Sequence, residues 1–297
     1  RVPCDVSRSV LDHKAVTLVD APAVVLALVL AETCVGGLAL LWFAPTWGNV
    51  RHGYEVLLSS TLALMAWGAW ASLNRPLALL VADGGAAADA APWAGRALAV
   101  TAVLAGLAAV ALLAKLPPLL GRLLGIAATL AGVASFVPLA LVRAARDTGS
   151  AGLGVLELLL GAFLLGAIWD GMVLGHWYLV ERRLSNRYMV WMAWVNVAAV
   201  VAGAGAVALS AANPVPCEGL SGSELAGCSL SFSPLLAVGS MTLMIGFGVL
   251  ALIAVIAYFN VRLAKEGGRS IQASTGMFYL AVILAPAAEF ASKIRFF

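Results

Sequence analysis

The side chains that could do chemistry in this sequence are few, and most of them stand inside long apolar runs. Glu32, Glu157, Asp170, His176 and Glu289 are the ionisable residues so placed. A charged group in hydrocarbon costs several kcal/mol unless it is paired or wetted, so each one is either sheltered or in use. Glu289 has Lys293 four residues on, the spacing of an ion pair along one helix face. Glu157 falls early enough in its run to reach an interface or a helix end. Glu32 has no Lys or Arg within three helical turns, and the basic residues after Asp170 begin only at Glu181-Arg182-Arg183. Glu32 and Asp170 are therefore expected to pair across helices, face a polar cavity or carry a proton.

The densest segment is Trp169-Asp170-Gly171-Met172-Val173-Leu174-Gly175-His176-Trp177-Tyr178. Aromatic walls, an imidazole and a carboxyl beside an apolar slot suit a quinone, whose head group exchanges protons while its tail lies in lipid. His176, Asp170, Trp177, Tyr178, Trp169 and Glu32 are the candidate cofactor-contacting residues. At 100° per residue, Asp170 and His176 stand about 120° apart around one helix, so a single helix does not offer both to one small ligand. The alternative for Trp177 and Tyr178 is an aromatic belt at headgroup level. Gly171 and Gly175 form a small-xxx-small step where another helix can approach closely. Haem is less favoured than quinone: of the three histidines, only His52 and His176 fall on one predicted side. Asn196 adds a hydrogen-bonding group within a run. The sequence has no phosphate-binding glycine loop, zinc-ligand spacing or nucleophile elbow.

These residues need a scaffold, and composition dictates its class. Of 297 residues, 62% are hydrophobic and 11% charged, and the mean hydropathy is +0.98. A soluble domain is about 45–50% apolar and about 25% charged, so an all-α integral membrane protein is expected. A net charge of +3 without a Lys/Arg run gives no sign of a nucleic-acid partner. A crossing needs about 20 apolar residues. That length predicts a bundle of about eight transmembrane helices, near 20–45, 54–82, 93–114, 119–142, 152–180, 188–211, 233–260 and 272–292. Pro117-Pro118, Asp83-Gly84-Gly85, Asn213-Pro214 and Gly267-Gly268 are among the breaks between them. Residues 1–19 read as a polar lead-in without the apolar core of a cleavable signal, and 20–297 as one polytopic domain.

Loop charges give an orientation. Arg51, Lys115, Arg122, Arg182, Arg183, Arg187, Arg262, Lys265 and Arg269 fall on one predicted side, against Arg75, Arg96, Arg143 and Arg146 in the opposite loops. The richer side is expected to be cytoplasmic, with both termini on the outer side of what is expected to be a bacterial cytoplasmic membrane. Cys217 and Cys228 share a Pro/Gly/Ser-rich outer loop, and a disulfide between them is expected in an oxidising compartment. Cys34, inside a run, is expected to pack as a small hydrophobe.

The first and fifth runs share an outline: Glu32, then Gly36-Gly37 and Trp42, against Glu157, then Gly161-Ala162 and Trp169. Met-Ala-Trp occurs at 65–67 and again at 192–194, and the fourth and eighth runs each carry a late proline, Pro138 and Pro286. This pattern suggests a 4+4 parallel internal repeat. The functional expectation is a membrane-embedded subunit of a larger quinone-linked redox assembly, anchoring partner subunits that carry redox cofactors. The alternatives are a proton-coupled secondary transporter and a purely structural membrane scaffold.

Overall fold

The computed structural model describes residues 21–44, 46, 48–145, 149–181, 184–213, 222 and 239–296. Among these residues there are eight long helices and no strand: α1 (Ala21–Phe43), α2 (His52–Asp83), α3 (Ala91–Leu113), α4 (Pro118–Ala144), α5 (Ala151–Val180), α6 (Arg187–Ser210), α7 (Gly239–Glu266) and α8 (Ser270–Lys293). All eight are long and apolar enough to cross a membrane, and together they suggest a membrane protein. The lead-in 1–19, the Cys217–Cys228 pair and Cys4 lie outside the described residues. Cys34 is buried and unbonded.

The helix ends follow from local chemistry. Gly84, in the left-handed region at φ +66, closes α2, and its N–H caps Val81 O. Ser150 accepts from Leu153 N at 3.2 Å and starts α5. Pro117-Pro118 separates α3 from α4 by removing two adjacent N–H donors. Pro76, Pro138 and Pro286 lie within α2, α4 and α8, and all three helices continue through them. Seven of the eight helices match their expected spans to within two residues at each end. α7 is described from Gly239, the residues expected before it lying outside the described residues, and it continues to Glu266, six residues past its expected end. The extension holds because Arg262 and Lys265 lie on an exposed face beside aromatic rings and cost nothing in burial.

In the first half, α1 packs on α2 and α4, α2 on α3, and α3 on α4. In the second, α5 packs on α6 and α8, α6 on α7, and α7 on α8. The halves join where α1 lies along α5, flanked by contacts of α4 with α5 and of α8 with α1. α1 and α5 run parallel: Gly161 faces Glu32, Gly166 faces Gly36, and Asp170 faces Gly37. Their approach is close because Gly36 has no side chain. A Cβ there would run into the carbonyl of Ala162, which is fixed backbone and cannot give way. The outer surface of the bundle is apolar, with Ile283 72%, Val201 70% and Leu64 67% exposed.

Candidate functional site

Polar groups gather at two depths in the bundle. The first set lies toward the end that holds the start of α5 and the close of α8. There Lys293 Nζ stands 3.1 Å from Glu32 Oε1, 3.2 Å from Glu157 Oε1 and 3.1 Å from Glu289 Oε2. One ammonium thus lies within ion-pair distance of three carboxylates from α1, α5 and α8, and it donates hydrogen bonds to Glu157 Oε1 and to Ser292 Oγ. All four side chains are fully buried.

The network extends beyond Lys293. Asn213 Nδ2 donates to Glu157 Oε2 at 3.1 Å, and Arg143 Nη1 lies 3.8 Å from the same oxygen. Arg143 Nη2 also donates to Asn213 Oδ1. Arg295 Nη2 donates to the carbonyls of Asn213 at 2.7 Å and Ala211 at 3.3 Å. Ser292 Oγ donates to Glu289 Oε2 at 3.1 Å. Room for this comes from Gly161, where a Cβ would lie 2.5 Å from Glu32 Oε1 and 2.8 Å from Glu289 Oε2. Three formal negatives and three formal positives share the region, which is how a buried charge set is tolerated.

The second position is Asp170, fully buried in α5. Neither carboxyl oxygen has a hydrogen-bond partner among the described residues. Its Oδ1 rests on the bare Cα side of Gly37, where a Cβ would come within 3.1 Å. From α2, the Tyr54 hydroxyl lies within electrostatic reach of both Asp170 and Glu55. Glu55 in turn accepts from Gly48 N at 2.9 Å, and His52 Nδ1 stands 3.9 Å from it. A discontinuous file of polar groups therefore leads from Asp170 to the end of the bundle where α2 begins.

The remaining expected site residues separate. Trp169 Nε1 donates to Thr61 Oγ1 at 3.3 Å and ties α5 to α2. His176 is exposed, and its Nδ1 lies 2.9 Å from the Tyr279 hydroxyl of α8. Trp177 packs its ring edge on Gly53, at the start of α2. Tyr178 is buried: its hydroxyl donates to Ser185 O and accepts from Met189 N at 3.3 Å, holding the turn into α6. Glu32 belongs to the Lys293 network, many turns from His176. The six candidates thus do not form one site: Glu32 joins Lys293, Trp169 and Asp170 lie along α5 against α2 and α1, and His176, Trp177 and Tyr178 turn to Tyr279, Gly53 and the turn into α6 respectively. His52 Nε2 lies 3.0 Å from Leu112 O, so this nitrogen is engaged by backbone.

Lys293, Glu157, Arg143, Asn213 and Tyr279 are among the polar residues that the sequence did not assign to a site. The one local signal was Glu289–Lys293, but their spacing suits a solvated pair as well as a buried one. Among the described residues, no three of His, Cys, Asp or Glu gather so as to hold a metal ion. No family model, curated protein or solved structure matches this chain.

Proposed function

We propose that this protein is the membrane-embedded subunit of a quinone-linked redox assembly that exchanges protons at Asp170. The observation that carries the reading is Asp170 itself: a carboxyl fully buried where α1, α2 and α5 meet, with no cation and no hydrogen bond among the described residues. A side chain so costly to bury is retained for a task. The Lys293 network, by contrast, is balanced in charge and serves to lock α1, α4, α5 and α8 together. His176 and Tyr279 form an exposed donor–acceptor pair about 9 Å further along α5 from Asp170, by the rise of a helix. A quinol reaching that pair from the lipid gives up two protons and two electrons. The protons pass to His176 and the polar groups behind it, and the electrons go to cofactors on partner subunits.

The apolar flanks support insertion in a bilayer, in this reading a bacterial cytoplasmic membrane. Burial sharpens the charge asymmetry. Arg143, Lys293 and Arg295 are interior. The exposed cations at one end are Arg51, Lys115, Arg122, Arg187, Arg262, Lys265 and Arg269, with Arg75 and Arg96 toward the other. That excess supports the reading in which the first end is cytoplasmic and both chain ends lie outside.

A 4+4 repeat is also part of the proposal. The two halves pair their helices in like order. The last turn of α4 carries Arg143 and the last turn of α8 carries Lys293. Arg143 faces Glu157 of α5, while Lys293 reaches Glu32 of α1. Because such duplication is common in carriers, it favours a second reading, a proton-coupled secondary transporter with Asp170 as the coupling site.

One experiment separates the readings: purification in mild detergent, followed by quinol oxidation assays on the wild type, Asp170→Asn and His176→Ala. Stoichiometric cofactor-bearing partners, with turnover lost and assembly kept in both variants, are expected. Normal turnover in both variants removes the site. A lone protein whose proteoliposomes couple solute entry to proton entry, abolished by Asp170→Asn, establishes the carrier. Neither activity leaves a scaffold.

A further inference from the structure

A groove of about 460 Å³ opens on the outer face between α6 and α7. Its walls are Val197, Val200 and Val201 from α6 and Ala254 and Ala257 from α7. Its lining runs from Ala254 to Lys265, about 16 Å along α7 at 1.5 Å per residue, which is about half of a hydrocarbon core roughly 30 Å thick. The cationic end is built differently from the rest. Lys265 Nζ sits 5.1 Å over the Trp194 ring. The Arg262 guanidinium lies 6.0 Å from the Tyr258 ring centre, and Nη1 donates to the Tyr258 hydroxyl at 3.3 Å. Both cations are exposed, and Arg187 and Arg269 are exposed at the same end of the bundle. The nearby acid, Glu266, accepts a hydrogen bond from Ser270 at 2.9 Å.

We infer that this groove is a binding site for an anionic phospholipid, with one acyl chain along α6 and α7 and the headgroup phosphate held by Arg262 and Lys265. An apolar channel the depth of one leaflet, ending in two cations steadied against aromatic rings, complements a single-chain tail below a phosphate. A neutral quinone fills the apolar part but brings no negative charge to the Arg262 and Lys265 end, where Glu266 is the acid within electrostatic reach of Arg262. The inference rests on the reading of α6 and α7 as membrane-spanning and not on any redox role.

The test uses the full chain in mixed micelles of dodecyl maltoside with equal phosphatidylglycerol and phosphatidylcholine, followed by detergent washing and quantification of retained lipid. Each cation at a headgroup is worth about fivefold, so the wild type should retain phosphatidylglycerol about thirtyfold over phosphatidylcholine. The Arg262→Gln/Lys265→Gln double variant should lose that preference, and Lys115→Gln, a cation elsewhere at the same end, should keep it. Independently, brominated phosphatidylglycerol should quench wild-type fluorescence more than brominated phosphatidylcholine does, and Trp194→Phe should abolish the difference. Retention in the micelle's own ratio, or an unchanged preference in the double variant, overturns the lipid site. Solubility and monodispersity without any detergent overturn the membrane reading beneath it.

Discussion

Lys293 Nζ lies 3.1 Å from Glu32 Oε1, joining the last turn of α8 to the middle of α1 with both side chains fully buried. The two residues are far apart in sequence, yet the ammonium also holds Glu157 and Glu289. One side chain therefore bridges carboxylates from three helices and ties α1, α5 and α8 together.

Lys293→Met should be among the most damaging single changes in the chain. It removes the shared cation from three buried carboxylates, leaving Glu157 with Asn213 and Arg143 and Glu289 with Ser292, and losing one partner of a buried ion pair costs about 3–5 kcal/mol. Thermal unfolding in detergent should show a large drop in midpoint. Glu32→Gln should cost less, because Lys293 keeps two carboxylates. Adding Glu32→Gln to Lys293→Met should recover part of the loss. Equal midpoints for wild type and Lys293→Met would remove the network from the account of stability.

Asp170→Asn should behave in the opposite way. The carboxyl has no hydrogen-bond partner to lose among the described residues, and a neutral amide of the same shape avoids the cost of a buried acid. Stability should change by no more than about 1 kcal/mol, in either direction. A fall as large as that of Lys293→Met would mean that Asp170 holds the bundle together, so that loss of turnover in this variant could no longer be assigned to proton exchange.

Gly36→Ala should disrupt the α1–α5 contact. The new methyl meets the Ala162 carbonyl and the Gly166 Cα, both backbone, so the helices must separate. Overpacking of this kind costs about 1–3 kcal/mol or more. Gly152→Ala, with nothing within 4 Å of the added methyl, serves as the control and should be silent in the same melting assay.

Tyr178→Phe should loosen the α5–α6 turn without disturbing the rest. It removes one hydrogen bond to Ser185 O and one from Met189 N, worth about 1 kcal/mol each. Hydrogen exchange at the Met189 amide should speed up, while amides in α1 should keep their protection. Unchanged exchange at Met189 would show that the turn is held by other contacts.

Orientation can be read by labelling. In a background with its native cysteines replaced, Ser185→Cys and Asp89→Cys lie in exposed connections at opposite ends. An impermeant maleimide applied to intact cells should modify Asp89→Cys and spare Ser185→Cys. The reverse pattern would invert the proposed sidedness.

The sequence alone determined the number of long helices among the described residues and, α7 apart, their near-boundaries. These depend on local quantities: a crossing needs a fixed length of apolar chain, and turns need residues such as Gly84 and Pro117-Pro118. It also isolated the short set of interior acids, because any Glu or Asp in such a run is conspicuous. Which of them meet was decided only by the tertiary structure. Periodicity places Glu32, Glu157 and Lys293 on helices, but it does not fix the register in which those helices dock. That register depends on where backbones can touch, at Gly36 against Ala162 and at Gly161 beneath the carboxylates. For the same reason Asp170 and His176, neighbours in one segment, part company: 120° around α5 turns one into the interior and the other to the outer face, beside Tyr279.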